Sequence, residues 1–159
     1  MKRPLLLLTL AAAFAIVPAL WAVWDHERTL AEGEIVLLEL APVDPRSLMQ
    51  GDYMALRFAI DRNLDDEADY AWLTLDPERR ASLQQTSPAL PPPQGVLAMR
   101  IRKYQGHPTI GPNAFFFQEG TSERFDAAKW GEFRVAPNGK ALLTHLRNEK
   151  LERLGENLR

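Results

Sequence analysis

Cysteine is absent from the 159-residue sequence. The chain therefore forms no disulfide bond and offers neither a thiol nucleophile nor a thiolate ligand for a metal. Histidine is scarce: the three histidines are scattered singly, so a paired-imidazole metal site is not predicted. The formal net charge of −2 is too small to indicate a nucleic-acid partner. The sequence thus predicts no cofactor, no bound metal and no nucleic-acid binding.

Charge is also missing from the N-terminal stretch between Pro4 and Trp24, which follows the basic pair Lys2 and Arg3. An apolar stretch of this length spans about 30 Å as a helix, which is enough to cross the hydrocarbon core of a bilayer. It predicts a single-pass transmembrane helix with membrane lipid around residues 4–24. Positive charge before the stretch predicts a cytoplasmic N-terminus, with the rest of the chain exported.

A cleaved signal peptide is the alternative interpretation of the same stretch. Val17, Pro18 and Ala19 form an acceptable small-residue cleavage site, but the apolar run continues beyond it to Trp24. The apolar region of a signal peptide is usually about 7 to 15 residues, and this one is longer. The length favours an uncleaved anchor, and both interpretations export the remainder of the chain.

With the apolar stretch as an anchor, the chain is interpreted as three regions. Residues 1–24 are interpreted as a cytoplasmic tip and membrane anchor, residues 25–33 as a polar stalk, and residues 34–159 as one extracytoplasmic domain. At that size the domain can bury a core of its own. We predict an α+β, mostly β fold: a curved-sheet or barrel-like domain with one or two short helices.

Short apolar or alternating segments predict the strands of this domain. The strands are expected at residues 34–40, 53–60, 70–75, 96–104 and 114–118. Asn138-Gly139, lying between two apolar runs, predicts a β-hairpin over residues 133–146.

Helical signals are weaker. Asp76-Pro77 predicts a helical turn, and Thr121 or Ser122 can cap a short helix that ends near Gly131. The C-terminal tail stays open between a helix and a turn at Asn148-Glu149 leading into a last strand.

The stretch GDYMALRF, residues 51–58, follows a turn-rich segment. Gly51 can adopt positive φ, Asp52 can accept backbone hydrogen bonds, and Arg46 can pair with Asp52. The favoured interpretation is a turn that sets strand register. The alternative is that Arg46, Asp52, Tyr53 and Glu119 converge on a ligand or partner, which requires one concave patch.

GDYMALRF resembles the bacterial GDYxxLxY family. Gly51, Asp52, Tyr53 and Leu56 match that motif, whereas Phe58 stands where the family has a second tyrosine. Similarity extends to IGPNAFFFQEG, residues 110–120, and to FRVAPNGKALL, residues 133–143.

The resemblance implies a small membrane-anchored bacterial protein of uncharacterised function, and hence the inner membrane and periplasm. A role that needs the second phenol is unavailable to Phe58, whereas a packing role is unaffected. The motif and possible binding residues are Arg46, Gly51, Asp52, Tyr53, Leu56, Phe58, Glu119 and Gly120.

Catalytic and metal-binding patterns fail on spacing. Ser47 precedes Gly-Asp as the nucleophile of signal peptidases does, but the spacing differs and neither Lys103 nor Lys140 lies in a matching motif. Residues 61–72 begin like a calcium loop, but they have Asp66 in place of glycine and Trp72 in place of the last glutamate. No catalytic or metal-binding residue is predicted.

The leading functional hypothesis is therefore a non-enzymatic, membrane-anchored interaction module that docks on a polytopic membrane protein. The alternative is an envelope hydrolase or small-ligand sensor with a polar site near Arg46, Asp52 and Glu119. Phe115, Phe116 and Phe117 cannot all face one side of a strand, so at least one points away from the core as a contact site or is hidden by a second layer, and the second layer is favoured. The sequence predicts no oligomeric state.

Overall fold

The computed structural model describes residues 2–42, 49–50 and 53–156. One α-helix and twelve short strands lie in these ranges, with 3-10 turns at Ala59–Asn63 and Ser122–Phe125. In chain order, the elements are α1 (Lys2–Glu32), β1 (Glu34–Glu39), β2 (Met49–Gln50), β3 (Tyr53–Ala55), β4 (Tyr70–Leu75), β5 (Ala81–Ser87), β6 (Leu97–Arg100), β7 (Arg102–Tyr104), β8 (His107–Thr109), β9 (Ala114–Phe116), β10 (Trp130–Val135), β11 (Ala141–Arg147) and β12 (Arg153–Glu156).

The prediction of a transmembrane helix is wrong. Within the described residues, no helix is sufficiently long and apolar to cross a membrane. The apolar sequence forms a helix as expected, but α1 continues past Trp24 through Asp25, Glu27 and Arg28 and ends only at Glu32. The residues interpreted as a stalk therefore belong to the same helix as the apolar stretch.

The strands form four small antiparallel sheets. Their strand orders are β1-β10-β11-β12, β2-β3-β9, β5-β4-β6 and β7-β8. The mostly β character is as predicted, but the described strands are divided among these sheets and do not form one curved or barrel-like sheet. Contacts between sheets run through short links, such as the parallel bridge between Leu37 and Arg80.

Strands with clear patterns are where the sequence predicts them. β1, β4 and the β10–β11 hairpin confirm the predictions for residues 34–40, 70–75 and 133–146. The C-terminal tail, for which a helix and a turn into a strand were both possible, forms a turn followed by a strand. Leu151 donates its backbone N–H to Asn148 O, and β12 follows.

Three predicted elements differ from the structure. The strand expected over 53–60 ends at Ala55, because Asp61 accepts the backbone N–H of Phe58 and starts a 3-10 turn there. The helical turn expected after Asp76 is a tight turn into β5: Arg79 adopts a left-handed φ of 69° and returns the chain to an extended path. The short helix expected from Thr121 towards Gly131 is limited to the 3-10 turn Ser122–Phe125.

Aromatic side chains join the sheets into one core. Phe58 meets Phe133 of β10 edge-to-face at 5.4 Å between ring centroids, and Phe115 of β9 meets Phe125 at 5.2 Å. All four rings are at least 97% buried. Burying one such side chain contributes about 1.5–3 kcal/mol, so these contacts hold the motif strand to the largest sheet.

Candidate functional site

The motif strand β3 lies between β2 and β9. Tyr53 pairs with Gln50 on one side and with Phe116 on the other. Gly51, Asp52 and Arg46 lie outside the described residues, so their predicted convergence stays a prediction. Tyr53 is 37% exposed, and its ring lies 5.9 Å from the ring of the half-exposed Phe116.

The remaining motif positions belong to the core. Leu56 is 5% exposed and Phe58 is 1% exposed. Phe58 approaches Gly111 so closely that a Cβ there would lie 2.4 Å from its ring. The phenylalanine that replaces the second tyrosine of the motif therefore packs tightly between Gly111 and Phe133, where no polar partner is required.

Glu119 and Gly120 form a turn after β9. Gly120 has a φ of +77°, which a residue with a side chain adopts only at a cost. Thr121 donates its hydroxyl to Gln118 O at 2.6 Å and closes the turn. Glu119 is exposed there, three residues beyond Phe116, the last residue of β9, with which Tyr53 pairs.

A buried charge cluster, which the sequence did not reveal, lies on the largest sheet. Glu132 of β10 is 0% exposed. Arg147 of β11 donates Nε to Glu132 Oε2 at 2.6 Å, and Arg153 of β12 donates Nε and Nη2 to Oε2 and Oε1 at 3.0 and 2.8 Å. Both carboxylate oxygens are therefore occupied.

Burial of the Glu132 carboxylate opposes its ionisation. The hydrogen bonds and charges of Arg153 and Arg147 outweigh that effect and hold the pKa of Glu132 below its usual value. The bond to Glu132 also raises the pKa of Arg153. Because both oxygens of this carboxylate are bonded to arginines of β11 and β12, the cluster links three strands.

His145 completes this cluster. Its Nδ1 lies 3.6 Å from Glu132 Oε1, and its Nε2 lies 3.5 Å from Glu156 Oε1. The only signal in the sequence is a glutamate inside the apolar strand WGEFRV with His145 and Arg147 at alternate positions of the next strand. That pattern is weak, because the pairing Glu132–His145 depends on a register shift in β10.

Asp61, the first residue of the segment that resembles a calcium loop, accepts hydrogen bonds from within the fold. Its oxygens accept hydrogen bonds from Phe58 N, Ile110 N and Thr109 Oγ1 at 3.2, 3.0 and 3.1 Å. Burial raises the pKa of the Asp61 carboxyl, and these three bonds oppose the rise only partly. Among the described residues no group of three potential ligands converges on a metal position.

Apolar side chains of α1 are exposed at residue 10 and over residues 12–24. Residues 10–24 are called the apolar segment below. The exposed fraction is between 55% and 84% for its large residues, which are Leu10, Phe14, Ile16, Val17, Leu20, Trp21, Val23 and Trp24. Ala12, Ala15, Ala19 and Ala22 are exposed as well. At 100° per residue Ile16 and Val23 lie opposite Phe14, so both sides of the helix are apolar and exposed.

The C-terminal end of α1 is fixed to the domain. Lys140 Nζ, just after the Asn138-Gly139 turn, lies 2.5 Å from Asp25 Oδ2. Arg134 of β10 donates Nη1 to Gly33 O at 3.1 Å, where the helix passes directly into β1. Thr29 is 3% exposed between these two attachments. The apolar segment therefore leaves the domain in a defined direction.

A groove of about 740 Å³ lies beside this end of α1. Its carboxylates are already paired: Glu32 with Arg28 at 2.9 Å, Asp76 with Arg80 at 2.6 Å, and Glu34 with Arg79. The groove therefore presents no uncompensated charge to a ligand.

The family model of the GDYXXLXY protein matches residues 15–146, which include the motif, the Glu119-Gly120 turn and the Asn138-Gly139 hairpin. The chain belongs to the GDYXXLXY family. No curated protein and no solved structure matches the chain significantly. Within the GDYXXLXY domain, the structure assigns Leu56 and Phe58 to the core and leaves the ring of Tyr53 accessible at the surface.

Proposed function

We propose that this GDYXXLXY protein is a non-enzymatic interaction module that docks through its apolar segment on a polytopic membrane protein. The observation that carries the proposal is the exposure of large apolar side chains over residues 10–24 of a helix whose base is fixed to the domain. Apolar patches of this extent on a protein surface mark interaction sites.

The shape of the exposed surface favours a partner that encloses the helix. A helix that docks in a shallow groove, or on a second copy of itself, covers one side and exposes polar residues on the other. Here Phe14 and Trp21 are exposed on one side, and Ile16 and Val23 on the other. Several helices of one partner, packed around the segment, would cover both sides.

A helix that lies on a lipid surface has a different composition. Such helices carry lysine and arginine on a polar face, which anionic headgroups attract. The apolar segment has no charged residue between Leu10 and Trp24. The first charges of α1 beyond it are Asp25, Glu27 and Arg28, at the end that meets the domain.

An extracytoplasmic location is part of the proposal. It is supported by the basic residues Lys2 and Arg3 before an apolar sequence, a pattern typical of exported chains, and by the length of the apolar run, which favours a segment that is not cleaved. Protease added to intact spheroplasts is expected to digest the domain, and lysis is expected to add no further digestion. Protection until lysis would contradict this location.

Photo-crosslinking from the apolar segment tests the docking. A photoreactive phenylalanine analogue at position 14 or 21 is expected to capture the same multi-helix membrane protein in cells. The same analogue at Gln85, which is exposed on β5, serves as the control and is expected to give no adduct. The captured protein, purified with its own tag, is expected to retain the wild-type chain and to lose a Leu20→Asp variant.

Two results would contradict the docking proposal. The first is crosslinking of positions 14 and 21 only to lipid or to a second copy of the chain. The second is flotation of the purified protein with protein-free vesicles of the native lipid composition, with Leu20→Asp abolishing flotation. Either result would assign the apolar segment to an occupant other than a partner protein.

A further inference from the structure

The base of α1 is attached to the domain at two levels along the helix. The first level is Gly33, where the helix ends: Arg134 binds Gly33 O, and a Cβ at this glycine would lie 2.3 Å from Thr29 O. The second level is Asp25, about 12 Å further along the helix axis, where Lys140 binds.

The two levels have different mechanical consequences. Contacts close to Gly33 oppose a tilt of the helix with only a short lever arm. The second attachment at Asp25 opposes that tilt. Thr29, which lies between them, is buried, but its hydroxyl is donated to Asp25 O within the same helix at 2.9 Å and makes no polar link to the domain.

The length of α1 amplifies any tilt. Leu10 lies about 35 Å from Gly33 along the axis, so a tilt of about 10° displaces it by about 6 Å. A displacement of that size exceeds the tolerance of a packed interface, in which side chains interdigitate at contact distances of about 4 Å. Presentation of the apolar segment therefore depends on the attachment at Asp25.

Lys140 is itself held in position by the domain. It follows the Asn138-Gly139 turn, in which Asn138 Oδ1 accepts the Lys140 backbone N–H at 3.0 Å. Gly139 O accepts the backbone N–H of Arg100 at 2.9 Å, and a Cβ at Gly139 would lie 3.1 Å from the ring of Tyr70. The turn is thus packed against β4 and β6, and it holds the backbone of Lys140 in place.

We infer that Lys140 is a positioning residue: by binding Asp25 it sets the direction in which α1 leaves the domain. Its functional meaning, presentation of the apolar segment to a partner, rests on the proposed function. The direction of the helix is a property of the chain alone and is measurable without the partner.

Spin-label distance measurements test the inference. Because the chain has no cysteine, cysteines introduced at Ala22 on α1 and Gln85 on β5 label only these two exposed sites. The full-length protein is expected to give one narrow distance distribution. Lys140→Met removes the charge and keeps an apolar stem, and it is expected to broaden the distribution at least twofold.

Two further variants separate positioning from general destabilisation. The charge exchange Asp25→Lys with Lys140→Asp is expected to restore the narrow distribution. Lys129→Met, which removes the exposed pair between Lys129 and Glu149 at 3.4 Å, is the matched control and is expected to leave it unchanged. If Lys140→Met fails to fold, Asp25→Asn tests the same contact from the helix side.

The results discriminate clearly. A distribution in Lys140→Met and Asp25→Asn as narrow as in the wild type, or equal broadening in Lys129→Met, would refute the positioning role. Broadening that the charge exchange does not reverse would also refute it, because the ion pair would not be its cause. Absence of a crosslinked partner would refute the proposed function and leave these distance results intact.

Discussion

Arg153 holds the buried carboxylate of Glu132 with two hydrogen bonds, at 2.8 and 3.0 Å, across β11 from the strand at the end of the described chain. The carboxylate is withdrawn from water, whereas the Arg153 side chain is 48% exposed. One buried charge thus determines how the last described strand is attached.

Replacement of Glu132 by glutamine is expected to destabilise the domain by about 3–5 kcal/mol. The variant leaves Arg147, whose side chain is 19% exposed, without its counter-charge, and an uncompensated buried charge carries a cost of that order. Urea denaturation followed by tryptophan fluorescence measures the change.

The matched control for Glu132→Gln is Glu149→Gln, which removes an 82% exposed partner of Lys129 and should change the free energy of unfolding by less than about 0.5 kcal/mol. A loss of unfolding free energy below about 1 kcal/mol in Glu132→Gln would show that the cluster does not hold the three strands together.

The Glu132 cluster also predicts how stability depends on pH. Because the pKa of Glu132 is lowered in the folded protein, its contribution is present above the unfolded value of about 4.3 and is lost as pH falls through the folded value. The difference in unfolding free energy between wild type and Glu132→Gln is therefore expected to stay constant from about pH 8 to 5.5 and to shrink below about pH 4.5. A difference that grows on acidification would have the wrong sign for a lowered pKa.

Asp61 is expected to show the opposite dependence. Its folded pKa is raised, so its contribution is present below the unfolded value of about 3.9 and is lost as pH rises through the folded value. Asp61→Asn is expected to cost about 1–3 kcal/mol through its unsatisfied backbone partners, with the larger loss at pH 4 and the smaller at pH 7. Asp65→Asn, at an exposed turn residue whose carboxylate accepts only the Glu67 N–H, is the control. A larger loss at pH 7 than at pH 4 would contradict the assignment.

Local patterns in the sequence were sufficient for part of the fold. The alternation in YAWLTL and the Asn138-Gly139 pair predict β4 and the β10–β11 hairpin, because both signals act within a few residues. The strand predicted over 53–60 failed for a non-local reason. Asp61 bonds Phe58 N and also Ile110 N, 49 residues away, and that contact ends the extended path.

Candidate functional residues, too, could be predicted only where the signal is local in the sequence. Phe116 is exposed, so one of the three consecutive phenylalanines does point away from the core, and the favoured prediction that a second layer covers it is wrong. Glu132 was missed because its partners Arg147 and Arg153 come from two other strands, and the register shifts in the pairing of these strands are not readable from one sequence. The transmembrane prediction used the length of an uncharged stretch and did not anticipate that the helix continues into Asp25, Glu27 and Arg28.

The packing of Phe58 against Gly111 gives a test of the motif core. A Cβ at Gly111 would lie 2.4 and 2.7 Å from two ring atoms of Phe58 and 2.9 Å from the ring of Phe133. Both rings are buried and cannot move into solvent, so Gly111→Ala is expected to cost about 1–3 kcal/mol through overpacking. In the comparison variant Gly95→Ala, a Cβ would meet nothing within 4 Å. The only cost expected for Gly95→Ala is that of its left-handed backbone, about 1–2 kcal/mol.

Adding Phe58→Leu to Gly111→Ala relieves the clash, and the double variant should lose less stability than the sum of the two single losses. The unfolding free energies of the wild type, the two single variants and the double variant measure this coupling. Strict additivity would show that Phe58 and Gly111 are not packed against each other, and Phe58 would then lose its role as the packing residue of the motif.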